Sequence, residues 1–268
     1  MLEETQRDLE YKYAKNQTLK RIKQYFIDLG LDKAILKTGF PSVEFGLDLV
    51  VQMVLHKRAK PQVLVGILHW HCDTMQQCAD WLVEAANLDI VDWHDAYGVF
   101  IIRPNLDIPL SVQKEIDQFS FPLPMVVPPK EITNNRTTGY LTIPGSVILR
   151  DNHHDDDVVL EHLNAMNQIP LSLNEKVVST IRNQWRNLDK QKEDETFQDY
   201  QKRLKAFEKY DTTSRDIIDG LFMLGNEIYL THKYDKRGRT YCQGYHVSYQ
   251  SNDWCKAVIE FQNQEVCQ

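Results

Sequence analysis

The chain has 268 residues, 42% of them hydrophobic and 26% charged, which is enough apolar content for one large core or two smaller ones and excludes a disordered chain. With 38 acidic against 31 basic residues the formal net charge is -7, so a uniformly basic surface is excluded and any phosphate-binding region must be local. No apolar run approaches the roughly 20 residues that a membrane span needs, and the polar, acidic start MLEETQRDLEYKYAKNQ lacks a signal-peptide pattern, so a cytoplasmic location without a membrane partner is expected.

Residues 1–120 read as a mostly helical N-terminal domain. Val50, Val51, Met53, Val54 and Leu55 belong to one apolar helix, Pro61 opens PQVLVGILHWH at a first helical turn, and Ala79, Trp81, Leu82 and Ala85 mark a third helix. Tyr97 to Leu110 is β-branched and aromatic around Pro104, which suits a short strand and turn. Residues 121–150 hold five prolines and two glycines among β-formers, so an extended connector is expected. Residues 151–232 return to helix. Asp155 to Gln168 forms one, Ser172-Leu-Asn-Glu175 reads as a capping box, and Val177, Val178, Ile181, Trp185 and Leu188 continue one apolar face. Phe197, Tyr200, Leu204 and Phe207 mark an amphipathic helix, and Thr213 or Ser214 is placed to cap the next. In residues 233–268 the alternating Tyr241, Gln243, Tyr245, Val247 and Tyr249, with EIYLTH (Glu227 to His232) upstream, suggest two strands joined through Lys236 to Arg239. Ser251 or Asn252 then caps a helix carrying Trp254, Val258 and Phe261. The fold class expected is mainly α with a small antiparallel β element.

Five cysteines, Cys72, Cys78, Cys242, Cys255 and Cys267, show no paired-thiolate spacing and are expected as reduced thiols. The run HWHC with His69, His71 and Cys72, followed by Cys78, matches no usual zinc spacing and reads as core packing. The acidic run from Asp151 through His153 and His154 to Asp157 has ligand chemistry, but adjacent residues point apart, so it reads as a solvated helix start. No metal site is expected in this chain. Phosphate loops, nucleophile elbows and helical histidine pairs are all missing from the sequence.

The stretch Lys233 to Arg239 carries four basic residues, Lys233, Lys236, Arg237 and Arg239, against one acid, Asp235, in a chain of net charge -7. Arg239 offers a planar fork for phosphate oxygens, Gly238 permits close backbone approach, and Asp235 can orient the arginine; a surface hairpin with a basic turn is the plainer alternative.

The order of residues here goes further. Asp235-Lys236-Arg237-Gly238-Arg239 with Tyr241 behind it, then Gln250-Ser-Asn252-Asp253 and Lys256, resembles the DxxGR block and following helix of single-subunit RNA polymerases of the bacteriophage and mitochondrial type. Pro124-Met-Val-Val-Pro-Pro-Lys130, Gly139-Tyr140 and Leu149-Arg150 look like the VPPKPW, GGY and LVR passage of that family, with Glu131-Ile132 in place of Pro-Trp. LEHLNAMNQIPLSLNEKVV is similar to the INxxQNTxWxIN run, with Asn164, Asn167 and Gln168 in the polar slots and Pro170-Leu171 in place of Thr-x-Trp. The resemblance covers roughly Pro124 to Phe261.

This resemblance implies the N-terminal region and the start of the palm of a right-hand polymerase, incomplete without a partner chain. The chain ends before the positions where family members carry the metal-binding aspartates, so it resembles the small, N-terminal subunit of the two-subunit RNA polymerases of certain podoviruses. On that resemblance the catalytic residues and the Mg ions belong to a large partner subunit, and no catalytic residue lies in this chain. Template DNA and nascent RNA would meet Asp235, Arg237, Gly238, Arg239, Tyr241 and Lys256, with Lys130 and Arg150 as further contacts. A helper presenting single-stranded template, and the cytoplasm of an infected bacterial host, complete the implied setting. A helical accessory protein with a basic nucleic-acid-binding hairpin and no enzymatic role stays open beside it.

Overall fold

The computed structural model describes residues 1–13, 15–95, 98–101, 108–119, 122–149 and 158–263. Arg150, the acidic run 151–157, Cys267 and half of the expected strand and turn from Tyr97 to Leu110 lie outside them. The chain divides into two compact units, one made of Lys15–Ile116 and the other of Met1–Ala14 with Asp117–Gln268. Helix predominates among the described residues, beside small antiparallel sheets, as the composition and periodicity led one to expect. No helix among them is long and apolar enough to cross a membrane.

The unit Lys15–Ile116 is built around α4 (Val43–His56), which is buried on nearly every side because its sequence is apolar all round. Phe45, Leu49 and Met53 enter one cluster with Leu64, Leu68 and Leu82, while Val50, Val51 and Val54 enter another with Ile22, Phe26, Val112 and Ile116. The partners come from α2 (Lys15–Asp28), α3 (Leu31–Lys37), α5 (Pro61–Leu68), α6 (Met75–Asn87) and α7 (Leu110–Phe119). Ser42 and Thr74 cap α4 and α6, accepting from Phe45 N at 3.2 Å and Gln77 N at 3.1 Å, and Pro61 stands in the first turn of α5. A three-stranded sheet in the order β1 (Arg58–Ala59), β3 (Val99–Ile101), β2 (Asp92–His94) completes the unit.

In the other unit α1 (Leu2–Tyr13) is fastened by two buried polar side chains. Gln6 accepts from Val126 N at 2.8 Å and donates to Glu10 at 2.9 Å. Glu10 accepts from Leu141 N at 2.9 Å, Thr142 N at 2.6 Å and the Thr142 hydroxyl at 2.7 Å. These bonds serve the Pro-rich connector, whose described residues form no α-helix and only isolated β-bridges, so amides outside those bridges draw on side-chain partners. The remaining elements are α8 (Leu160–Asn167), β4 (Leu171–Leu173), α9 (Glu175–Thr180), α10 (Phe197–Met223), β5 (His232–Tyr234), β6 (Thr240–Cys242), α11 (Asp253–Val258) and β7 (Ile259–Phe261). β4 pairs antiparallel with β7, β5 with β6, and the core gathers Leu173, Ile218, Leu221, Ile228, Leu230, Trp254 and Val258.

Four local expectations are corrected. Ser172 lies in β4, and Asn174 caps α9 by accepting from Val177 N at 3.0 Å. The face drawn through Ile181, Trp185 and Leu188 is not helical, because α9 ends at Thr180 and residues 181–196 follow an irregular path. Thr213 and Ser214 cap nothing: α10 runs through them, and the Ser214 hydroxyl donates to the Tyr210 carbonyl one turn back at 2.8 Å. The alternation from Tyr241 to Tyr249 yields a strand only as far as Cys242.

Replacing Glu10 by Ala removes the acceptor of two part-buried amides and a hydroxyl, and should lower the stability of this unit by about 2 kcal/mol. Urea unfolding followed by tryptophan fluorescence, against wild type, checks it.

Candidate nucleic-acid interface

β5 and β6 pair as His232 with Cys242, Lys233 with Tyr241 and Tyr234 with Thr240. Alternation along β5 buries His232 and Tyr234 and leaves Lys233 and Asp235 on the outer side. The connection is a turn in which Gly238 N donates to Asp235 O at 2.9 Å, and Asp235 N donates to Arg239 O at 2.9 Å. Gly238 has φ +77°, the left-handed conformation that closes a three-residue hairpin loop.

The Asp235 carboxylate organises this turn. One oxygen accepts from the backbone of Arg237 and Arg239 at 2.9 and 3.0 Å. The other accepts Nε and Nη2 of Arg239, both at 2.8 Å, and Nε and Nη2 of Arg237 at 3.3 and 3.2 Å. Tyr241 donates to the same oxygen at 3.4 Å, and the Arg239 guanidinium lies 5.6 Å from the Tyr241 ring centroid. Partial burial pushes the Asp235 carboxyl up, but the hydrogen bonds from Arg239, its positive charge and the Tyr241 hydroxyl outweigh this and leave it below its ordinary range. Arg239 is held correspondingly more firmly protonated, chiefly by Asp235 and then by Tyr241.

Asp235 is 14% exposed, whereas the side chains of Arg237 and Arg239 are 64% and 52% exposed. The carboxylate therefore sits beneath and the guanidinium groups face outward. Nη1 of Arg239 has no protein partner among the described residues, so a planar donor edge remains for an external oxygen acceptor.

Gln250 joins this hairpin to α11. Its Oε1 accepts from Cys242 N at 2.9 Å and its Nε2 donates to Thr240 O at 3.2 Å, so one amide side chain acts as a short extra strand on β6. Two residues on, Asn252 caps α11 as expected, accepting from Cys255 N at 2.8 Å. Lys256 is exposed on that helix with Asp253 at 3.6 Å.

The structure thus gathers Asp235, Arg237, Gly238, Arg239 and Tyr241 into one bonded cluster and attaches the segment of Lys256 through Gln250. Lys130 is placed differently: its ammonium group donates to the Leu141 carbonyl and its amide to Gly139 O, both within the connector. Among the described residues no group of three His, Cys, Asp or Glu side chains gathers as a metal cage. His71 instead meets Asp48 at 2.9 Å, His69 meets Gly66 O at 3.0 Å, and Cys78 is buried in the core. The four cysteines among the described residues are free thiols.

Other motif residues form the wiring beneath the hairpin. Asn164 accepts from Ile132 N at 2.8 Å and donates to Ile132 O at 3.0 Å, and Gln168 donates to Pro129 O at 2.8 Å. A Cβ on Gly139 would lie 2.8 Å from Pro129 Cβ, so the connector packs closely only with glycine there. Tyr140 accepts from the Thr231 hydroxyl at 3.1 Å, and burial pushes its phenol well above the ordinary range. His232, which the sequence reading passed over, is the centre of this layer. It meets Asn167 Oδ1 at 2.8 Å through Nδ1 and the Tyr249 hydroxyl at 2.6 Å through Nε2. A carbonyl oxygen on Nδ1 fixes the proton there, so Nε2 accepts from Tyr249. Lone histidines carry no pattern in sequence, and the signal available was its inward position on a strand two residues from Tyr234.

No protein-family model matches the chain. A protein of Agaricus bitorquis named as a probable DNA-directed RNA polymerase is 25% identical over 164 residues, covering 52% of this chain and 15% of that protein. The chain therefore spans a small part of the length of that relative. The likeness supports a polymerase relationship at the coarse level of that name.

Burial, and then the charge of His162, lowers the His232 imidazole to about 4. Between that value and the ordinary one of about 6.5, the unfolded chain binds a proton that the folded chain does not, so acidification favours unfolding. His232 stabilisation is complete above about pH 6.5 and falls by about 3 kcal/mol as pH drops toward 4. His232→Gln should flatten the fall in urea midpoint over that window, measured as the difference in pH slope between the two proteins.

Proposed function

We propose that this chain is a nucleic-acid-contacting subunit of a DNA-directed RNA polymerase, and that it works with a partner chain carrying the metal-binding carboxylates. The observation that carries the reading is the pair of exposed guanidinium groups held on one shielded carboxylate at a hairpin turn. Such a device presents oriented donors to backbone phosphates without loss of side-chain freedom at binding. The resemblance of the DxxGR block and the name of the fungal relative point the same way.

In this reading Arg239 grips a phosphate of the template or of the RNA–DNA hybrid with the edge that Asp235 leaves open, and Arg237 supplies a second charge. Tyr241 backs the Arg239 guanidinium, and Gly238 leaves the turn without a side chain where the duplex approaches. Lys256 adds charge from α11, while Lys130 and Arg150 act as outlying contacts. Asp235 serves the arginines: with six nitrogen donors and a hydroxyl on its two oxygens, it is not a magnesium ligand. Mg and the bond-forming residues belong to the large partner subunit, and a helper presents single-stranded template in the cytoplasm of an infected bacterial host. The start of a palm is the architectural counterpart of this role.

The test is reconstitution with the partner chain and transcription from a pre-melted template. Arg239→Ala and Arg239→Lys should both assemble yet release short transcripts, with hybrid binding roughly tenfold weaker for the alanine variant, about the value of one charge-assisted two-point contact. Unchanged product lengths and unchanged hybrid affinity would leave a surface hairpin with no part in transcription.

Gly238 allows a sharper separation. No atom of the protein lies within 4 Å of the position a Cβ would take, so the fold needs glycine there for its φ of +77° alone. Asparagine tolerates that conformation. Gly238→Asn should therefore melt close to wild type yet bind the hybrid less tightly, because the new side chain stands where nucleic acid approaches. A variant that binds as wild type does would show that nothing approaches the turn.

A further inference from the structure

The irregular segment 181–196, which follows α9, is held at nearly every second residue. Trp254 Nε1 donates to Ile181 O at 3.0 Å, and Asn252 donates to Asn183 Oδ1 at 3.1 Å while Asn183 donates to Asp211 at 2.8 Å. Trp185 packs on Phe207 and Tyr210, each with ring centroids 5.3 Å away. Tyr200 donates to Leu188 O at 3.1 Å, and Arg203 reaches Asn187 O, Lys190 O at 3.1 Å and both oxygens of Glu195 at 2.8 and 2.7 Å. The backbone is thus fixed without regular secondary structure.

This pinned segment turns Arg186 outward beside α11. Its guanidinium lies 3.8 Å from one oxygen of Asp253, and Lys256 lies 3.6 Å from the other. The pattern repeats that of the hairpin, with two cations converging on one carboxylate. Arg186 is 91% exposed, and exposed ion pairs of this kind contribute little to stability. The placement of these cations is therefore not explained by folding energetics.

The two clusters are neighbours through Gln250, which bonds to Thr240 next to Arg239 and stands three residues before Asp253. Three residues of chain reach at most about 10 Å, so the start of α11 is tethered close to the strand that carries Arg239. We propose that Arg186 and Lys256, arrayed on Asp253, form a second phosphate-binding pair that continues the nucleic-acid track from Arg239 across the start of α11. The inference rests on the polymerase reading of the hairpin and extends its contact surface to a residue outside the DxxGR block and its following helix.

The experiment is fluorescence anisotropy of the full chain with a labelled RNA–DNA hybrid across a salt series, for wild type, Arg186→Ala, Arg186→Gln, Arg239→Ala and the Arg186→Ala/Arg239→Ala double variant. Arg186→Ala and Arg186→Gln should bind several-fold more weakly at low salt, with the log–log salt slope shallower by about one. The double variant should lose the product of the two single effects, since the pairs act at separate phosphates. Melting temperatures should stay at the wild-type value. Unchanged affinity and slope in both Arg186 variants, with Arg239→Ala weakened, overturn the second pair and leave the hairpin reading standing. Weakening by the Arg186 variants with none from Arg239→Ala keeps the second pair and removes the hairpin contact. Absence of hybrid binding by wild type overturns both.

Discussion

Two guanidinium groups brought side by side repel each other, and a short turn offers little depth in which to hide a counter-charge. Asp235 resolves this by lying under both arginines while its other oxygen takes the amides of Arg237 and Arg239. The same carboxylate thus sets the backbone and the charges. From it follow the left-handed Gly238, the start of β6 at Thr240 and the strand edge onto which Gln250 hooks. In a chain of net charge -7, local geometry of this kind produces a positive surface that composition alone would not suggest.

A second constraint is the supply of hydrogen-bond partners where regular structure is missing. Among the described residues the Pro-rich connector has no α-helix and only isolated β-bridges, and segment 181–196 is irregular throughout; in both, side chains supply partners to backbone groups that no regular ladder serves. Asn164 bonds both polar groups of Ile132, Gln168 takes Pro129 O, and Glu10 takes two successive amides. Motif residues that look like surface chemistry in the sequence are therefore mostly internal fasteners, and the outward chemistry narrows to the hairpin and α11.

What the sequence made legible depended on local signals. The β5–β6 hairpin, the Asn252 cap and the Pro61 start each rest on residues within a few positions of one another, where turn and capping chemistry act. The failures share an opposite cause. Ile181, Trp185 and Leu188 have helical spacing, but their backbone carbonyls or side chains are claimed by Trp254, Phe207, Tyr210 and Tyr200. Ser172 is drawn into β4 by Glu260 of β7, far along the chain. Within the site, Asp235 and its arginines were readable from residue types, whereas His232 and the role of Glu10 depend on partners 65 and more than 130 residues away.

The fastening of α1 also bears on the order in which the protein takes shape. Lys15–Ile116 interrupts the sequence of the other unit, and its own contacts are complete once its residues have emerged. α1 precedes the inserted unit in the chain, yet the amides it serves lie 120 to 132 positions later. At ordinary rates of synthesis that is a wait on the order of ten seconds, during which Gln6 and Glu10 have no destination. The inserted unit is thus free to fold on the ribosome, and its collapse shortens the effective loop that α1 must close. A helix made before the insert is thus seated only after it, and the speed with which the insert folds sets how long that segment stays exposed in a half-made chain.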